Sequence, residues 1–267
     1  MELDHVPALH RRFLEQALPA LESDPRLIGV AAAGSFLSRD MDDFSDVDLV
    51  IAVEPENLEE VMHDRRGIAA SLGNLLAAFT GEHVGEPRVL ICLYGPEPLH
   101  VDLKFVSLDD LSERIEDPVV LWERDDRPSR QWSAGDPTSV RPDLQWIEDR
   151  FWIWIHYAAT KIGRGELFEA VDFLAFLRNQ VLGPMTLQRS DALPSGVRKI
   201  EQKAPGAVEP LQQTLASYEP SDAARALRAA IALYLDLREQ LAPDDLIRGR
   251  SAEVAALEYL DAIETEG

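Results

Sequence analysis

Cysteine is almost absent from this chain. Its 267 residues include one, Cys92, so no disulfide can form within it, and the thiol, set in the apolar run Val89 to Tyr94, is expected in the core. Long apolar runs are also missing. None approaches the roughly 20 residues that a bilayer-spanning helix needs, so no membrane contact is expected. The opening residues Met1-Glu2-Leu3-Asp4-His5 lack a basic segment followed by an apolar one. No signal peptide is expected, and a cytoplasmic location follows from that. Basic residues are few: 26 Lys and Arg stand against 48 Asp and Glu, for a net charge of −22. Phosphate backbones are bound by basic surface, so a nucleic-acid substrate is not expected. An acidic field would attract a cationic small molecule, although acidity can also serve solubility alone. Lysine is the scarcest charge, present as Lys104, Lys161, Lys199 and Lys203 beside 22 arginines. Internal repeats and low-complexity tracts are missing too.

What is present centres on Gly34 to Val53. An apolar run, Leu27 to Ala33, ends in Gly34-Ser35; ten polar-loop residues, Phe36 to Ser45, follow; Asp46-Val47-Asp48 then leads into a second apolar run, Leu49 to Val53. The pattern reads as strand, loop, strand. Side chains two apart on a strand share a face, so Asp46 and Asp48 project together while Val47 points to the core. Two carboxylates held side by side call for a cation, and their hard oxygens suit magnesium. Gly34 lets backbone approach a phosphate, and the Ser35 hydroxyl can donate to it. Further on, Leu99, Val101, Leu103 and Phe105 alternate with His100, Asp102, Lys104 and Val106. Asp102 therefore lies on the polar face, where it could complete a three-carboxylate site for two metal ions. The plainer reading is a solvated acidic loop, since Asp40, Asp42 and Asp43 lie close by.

Gly34-Ser35, the ten-residue gap, Asp46-Val47-Asp48-Leu49 and the later Val101-Asp102-Leu103 together resemble the signature of the DNA polymerase beta-like nucleotidyltransferase superfamily. Within it the chain looks most like the antibiotic, aminoglycoside-type nucleotidyltransferases. The resemblance covers about the first 110 residues. It implies an enzyme that moves a nucleoside monophosphate, AMP from ATP above all, to a hydroxyl of a small and possibly cationic molecule, with release of pyrophosphate. It implies ATP or another nucleoside triphosphate as co-substrate and two magnesium ions held by Asp46, Asp48 and Asp102. Asp102 is also the candidate general base. Gly34, Ser35 and Ser45, at the two ends of the loop, are candidate nucleotide-binding residues. The sequence departs from many relatives in one respect. They carry an arginine four residues after the motif glycine, where this chain has Ser38, with Arg39 next. Two rivals remain: a related enzyme that modifies a protein or tRNA acceptor, and a catalytically silent nucleotide-binding protein.

The expected fold is α+β. Residues 1–125 form a nucleotidyltransferase domain with a mixed sheet and flanking helices; 126–141 form a linker, rich in proline, glycine and charge; 142–267 form a helical domain. In the first part, His5 to Leu21 reads as an amphipathic helix that Pro19 ends or kinks, and Asn57 to Phe79 reads as mostly helical. Arg88–Tyr94 and Leu99–Val106 read as a hairpin, with a short strand at Val119–Trp122. In the second part, helices are expected over 142–163, 166–181, 197–202, 207–217, 221–241 and 252–264, with a break at Gly183-Pro184. A cleft between the domains would hold the ligands. Lys161 is either a contact to the triphosphate or a solvated lysine near a helix C-terminus. For a cationic acceptor, Glu148, Asp149, Glu166, Glu169 and Asp172 are the carboxylates expected to line the cleft. Oligomeric state is not legible from the sequence.

Overall fold

A computed structural model describes residues 3–138 and 140–266. Contacts divide the chain into two compact units, Met1–Ser139 and Val140–Gly267. The architecture is α+β: a mixed sheet with helices in the first unit and, among the described residues, helices alone in the second. Among the described residues, no helix is long and apolar enough to cross a membrane.

The first unit opens with α1 (Ala8–Ser23), whose buried stripe is His10, Phe13, Leu14, Ala17 and Leu21. The helix runs through Pro19. That proline lies on the exposed side, where water can serve the carbonyl left without its N–H partner. Strand β1 (Leu27–Ala32) leads through the one-turn helix α2 (Ser35–Ser38) and a loop into β2 (Val47–Val53). Helix α3 (Leu58–Ser71) is followed by β3 (Leu75–Gly81), β4 (Glu86–Tyr94), β5 (Leu99–Ser107) and β6 (Val119–Glu123). Among the described residues these strands form one sheet in the order β3-β4-β5-β2-β1-β6. The β2–β5 pair is parallel and the other pairs are antiparallel.

Alternation along β5 sorts the two faces. Leu99, Val101, Leu103 and Phe105 are buried in the main core, with Leu49 and Ile51 of β2, Leu14 and Leu21 of α1, and Val61 and Ile68 of α3. The lone thiol, Cys92, belongs to this core and is 1% exposed; burial pushes its pKa up to about 12. The other face has a smaller core of Ile28, Ala31, Ala52, Val106, Leu111 and Trp132. Leu111 comes from a 3-10 turn at Leu108–Ser112 and Trp132 from helix α4 (Arg127–Trp132). Residues 126–132, within the stretch read as a linker, thus pack onto the sheet, and the unit boundary falls at Ser139.

The structure corrects the helical reading of 57–79. The helix stops at Ser71, and Leu75–Gly81 is a strand that pairs with β4. The run Leu75-Leu76-Ala77-Ala78 favours helix locally, but pairing with β4 overrides that preference.

The second unit comprises α5 (Leu144–Gly163), α6 (Leu167–Leu177), α7 (Gly183–Arg189), the short α8 (Ile200–Lys203) and α9 (Val208–Gln212), α10 (Pro220–Leu241) and α11 (Arg250–Glu266). Asp143 caps α5 by accepting from the Trp146 N–H. The break expected at Gly183-Pro184 is not a break. A π-helical turn, Arg178–Leu182, joins α6 to α7 and places Pro184 in the first turn of the next segment, where no intrahelical N–H is required. Phe151 stacks on Tyr234 with ring centroids 3.6 Å apart in the middle of the core.

Beside that stack lies a buried polar network. Glu148 is 2% exposed and accepts from the Tyr234 hydroxyl, Trp152 Nε1 (3.2 Å), Arg238 Nη1 (3.1 Å) and the Gly249 N–H (3.0 Å). Burial alone would raise its pKa, but the bonds from Tyr234, Gly249 and Arg238 outweigh burial and hold it below the usual carboxylate range. Arg238 also reaches Glu253 of α11 at 3.1 Å. Replacing Arg238 with Met should therefore destabilise the second unit by about 3–5 kcal/mol, because a buried carboxylate loses its cation. Chemical denaturation followed through the tryptophans would read this as a lower midpoint.

Candidate active site

The parallel pairing of β2 with β5 sets Asp48 directly opposite Asp102. Neighbouring strands lie about 4.8 Å apart, so the two carboxylates rise from adjacent backbone positions on one face. Asp46 precedes β2 by one residue and Asp48 by two, while Val47 between them is 2% exposed and buried in the core. The sequence expectation for Val47 holds.

Gly34 stands against this row. Its backbone sits at φ 60°, ψ −132°, a conformation that only glycine adopts without strain. A Cβ there would lie 2.0 Å from Asp48 Oδ2. The glycine at the end of β1 is thus required both by its own backbone and by the carboxylate beside it. Next to it, the Ser35 hydroxyl is buried and makes no hydrogen bond within the chain among the described residues. A hydroxyl in that state has a donor to offer an anionic oxygen.

Asp102 is oriented by a neighbour. His100 Nε2 lies 2.9 Å from Asp102 Oδ1, and since the carboxylate accepts, the ring nitrogen donates. Lys104, next on the same face, pairs instead with Glu86 at 2.9 Å. Arg88 and then Lys104 hold that carboxyl down to about 2.

The loop carrying these groups is tied at its far end. Ser45 closes a turn with Asp42: its N–H donates to the Asp42 carbonyl (3.1 Å), and its hydroxyl donates to Asp42 Oδ1 (3.1 Å). The Ser45 carbonyl accepts from His10 Nε2 at 2.6 Å. His10 is 1% exposed, and it anchors the residue just before Asp46 to helix α1. Sequence reasoning missed His10. The signal was its place on the helix stripe, three and four residues before Phe13 and Leu14.

The remaining candidates lie in the second unit. Lys161 Nζ pairs with Glu166 at 2.7 Å and Glu169 at 3.0 Å, and sits 5.0 Å above the Tyr157 ring. Glu166 and then Glu169 raise its pKa. Its charge is matched inside its own unit. Of the carboxylates read as acceptor contacts, Glu148 belongs to the buried network. Glu166 and Glu169 are taken up by Lys161, and Asp149 accepts from Gln145 at 2.8 Å.

In kind, the donors fit a hard cation: all are carboxylate oxygens, and two are in register on adjacent strands. Among the described residues, no three His, Cys, Asp or Glu side chains are already gathered round a common point. Asp102 turns to His100, and Asp48 lies against Gly34.

No family model and no curated protein sequence matches the chain. The solved structures to which it is similar include these two. One is an aminoglycoside 6-adenyltransferase from Bacillus subtilis, with 14% identity and a TM-score of 0.36 over 94% of this chain and 97% of that one. The other is a nucleotidyltransferase-like protein from Exiguobacterium sibiricum, with 14% identity and a TM-score of 0.39 over 95% of this chain and 89% of that one.

The tight fit of Gly34 can be tested directly. Gly34→Ala should cost about 1–3 kcal/mol through backbone strain, read as a lower thermal midpoint. A crystal structure of the variant should show the Asp48 carboxylate displaced. An unmoved carboxylate and unchanged midpoint would refute the close approach.

Proposed function

We propose that the first unit transfers a nucleoside monophosphate from a nucleoside triphosphate, ATP first among them, to a hydroxyl of a small molecule. The observation that carries this reading is the register of Asp48 with Asp102 beside Gly34-Ser35. A carboxylate row for a cation and a donor-bearing strand end for phosphate adjoin each other on one sheet.

In this reading the triphosphate approaches the end of β1. Gly34 leaves the backbone uncovered there, and the Ser35 hydroxyl donates to a phosphate oxygen. Ser45 supports the same loop from its other end by closing the Asp42 turn. Asp46, Asp48 and Asp102 would hold magnesium, which when bound neutralises phosphate charge and supplies Lewis-acid catalysis. Asp102 takes the proton of the acceptor hydroxyl at a carboxylate oxygen, and His100, bonded to Oδ1, leaves Oδ2 to do so. The acceptor oxygen forms a bond to the α-phosphorus in line with the bond that breaks, and pyrophosphate leaves. The chain's own contribution is mostly positioning. Lys161 receives no role in this step, because Glu166 and Glu169 already match its charge. The net charge of −22 favours an uncharged or cationic acceptor over a polyanion.

Pyrophosphate release decides the matter. ATP, GTP, CTP and UTP with magnesium would be assayed across aminoglycosides and lincosamides. Release should require one acceptor and one nucleotide, and should fall to background in Asp48→Asn while the circular dichroism stays unchanged. Near-full activity in that variant would remove Asp48 from the site. Calorimetry with a non-hydrolysable ATP analogue tests nucleotide binding without any acceptor.

A further inference from the structure

We infer that His10 is a positioning residue for the proposed transfer: by holding the Ser45 carbonyl, it fixes where Asp46 stands beside Asp48 and Asp102. The inference rests on reading those three acids as the transfer site. Asp48 and Asp102 take their places from the sheet, in register on paired strands. Asp46 lies just before β2 begins at Val47, so its place depends on the loop that delivers it.

That loop is tied mostly to itself. Among the described residues, the hydrogen bonds of residues 39–45 run within residues 36–45, with one exception: the Ser45 carbonyl accepts from His10 Nε2 at 2.6 Å. The other ties to the main core are apolar, through Phe36 and Met41. Apolar packing is non-directional, whereas a hydrogen bond fixes one atom at a set distance and angle. The Ser45 carbonyl and the Asp46 N–H share one peptide plane with the Asp46 Cα. Fixing that oxygen therefore fixes the peptide that carries the carboxylate.

Stability alone does not account for a histidine here. His10 is 1% exposed, on the apolar stripe of α1, and its Nδ1 is buried with no partner among the described residues. A buried polar atom without a partner is destabilising, so an apolar residue would suit the core better. In the first unit, three described side chains have such an atom: His5 Nε2, His10 Nδ1 and Ser35 Oγ. All three adjoin this loop. Ser35 opens α2 at its near end, His5 packs edge-on against Phe36 with ring centroids 5.1 Å apart, and His10 holds its far end. Unmatched buried groups are uncommon in folded chains, and here they gather round one loop.

The test compares His10→Leu, His10→Gln and Phe13→Leu with the wild type, all as the full chain. Hydrogen exchange is read without nucleotide, and pyrophosphate release is read from ATP with magnesium and the acceptor that supports turnover. His10→Leu should keep or raise the thermal midpoint and speed amide exchange of residues 39–46 about tenfold. Its kcat should fall about 10–100-fold, with the acceptor KM within about twofold of the wild type. His10→Gln, whose amide can donate to the same carbonyl, should restore slow exchange and most of kcat. Phe13→Leu, in the core on the same helix, should lower the midpoint and leave kcat unchanged. Unchanged exchange in His10→Leu, full kcat in His10→Leu, no rescue by His10→Gln, or an equal loss of kcat in Phe13→Leu would each overturn the role of His10 alone. Faster exchange in His10→Leu beside a wild type that releases no pyrophosphate with any acceptor would overturn the transfer reading, and this role with it.

Discussion

The parallel register between β2 and β5 is the constraint on which the first unit depends. Among the described residues it is the one parallel pair in a sheet otherwise antiparallel. A parallel pair cannot be joined by a tight turn, so the chain must leave β2 at one end and cross to the other end before entering β5. The segment between them supplies α3, β3 and β4. The core contacts of Leu49 and Ile51 with Leu103 and Phe105 hold this register. A slip of one residue would send the slipped strand's pair, Leu49 and Ile51 or Leu103 and Phe105, to the other face, so burial specifies the alignment strongly. The Asp48–Asp102 pairing is thus a by-product of core packing on the opposite side of the same two strands. The acids need not attract each other to be brought together, and as like charges they do not.

Much of this was legible because its signals are local and periodic. Strict alternation in Leu99–Val106 and the Asp-Val-Asp spacing each specify a face through the two-residue repeat of a strand. The glycine before Ser35 announced a special backbone, and the structure places it at positive φ. What failed was decided by distant partners or by backbone geometry that composition does not show. Leu75 to Ala78 has helical composition and became a strand because β4 was available. Gly183-Pro184 looked like a stop and became part of a long irregular helix, because a π turn leaves room for the proline. In sequence Glu148 reads as a carboxylate lining an acceptor cleft. Only the fold brings Tyr234, Arg238 and Gly249 round it. His10 shows the converse: a polar residue on an apolar stripe can be a hydrogen-bonded anchor, here for a loop it meets 35 positions later.

The charge imbalance is handled in part by letting some cations serve more than one anion. Arg26 meets Asp24, Glu60 and Asp64. Arg228 meets Asp261 and Glu264. Arg238 meets Glu148 and Glu253. A guanidinium has five N–H donors in a planar fork, whereas an ammonium is a compact point charge, which suits arginine to this bridging. The bias of 22 arginines to four lysines matches that requirement. Several of these bridges join separate elements, so they bear on the arrangement of the helices and not only on net charge. Arg26 reaches from the start of β1 to α3, and Arg228 from α10 to α11.

Cys92 has a consequence for how the molecule can be handled. It is the sole thiol of the sequence, 1% exposed, with its pKa pushed up to about 12 by burial. Alkylating reagents attack the thiolate, and near neutral pH this group supplies almost none. The folded chain therefore behaves towards maleimide or nitroxide reagents as though it had no cysteine. A single cysteine introduced at an exposed position such as Phe44 would take a label alone, with no need to remove the native one. Movement of the loop before Asp46 could then be followed in an otherwise unaltered protein.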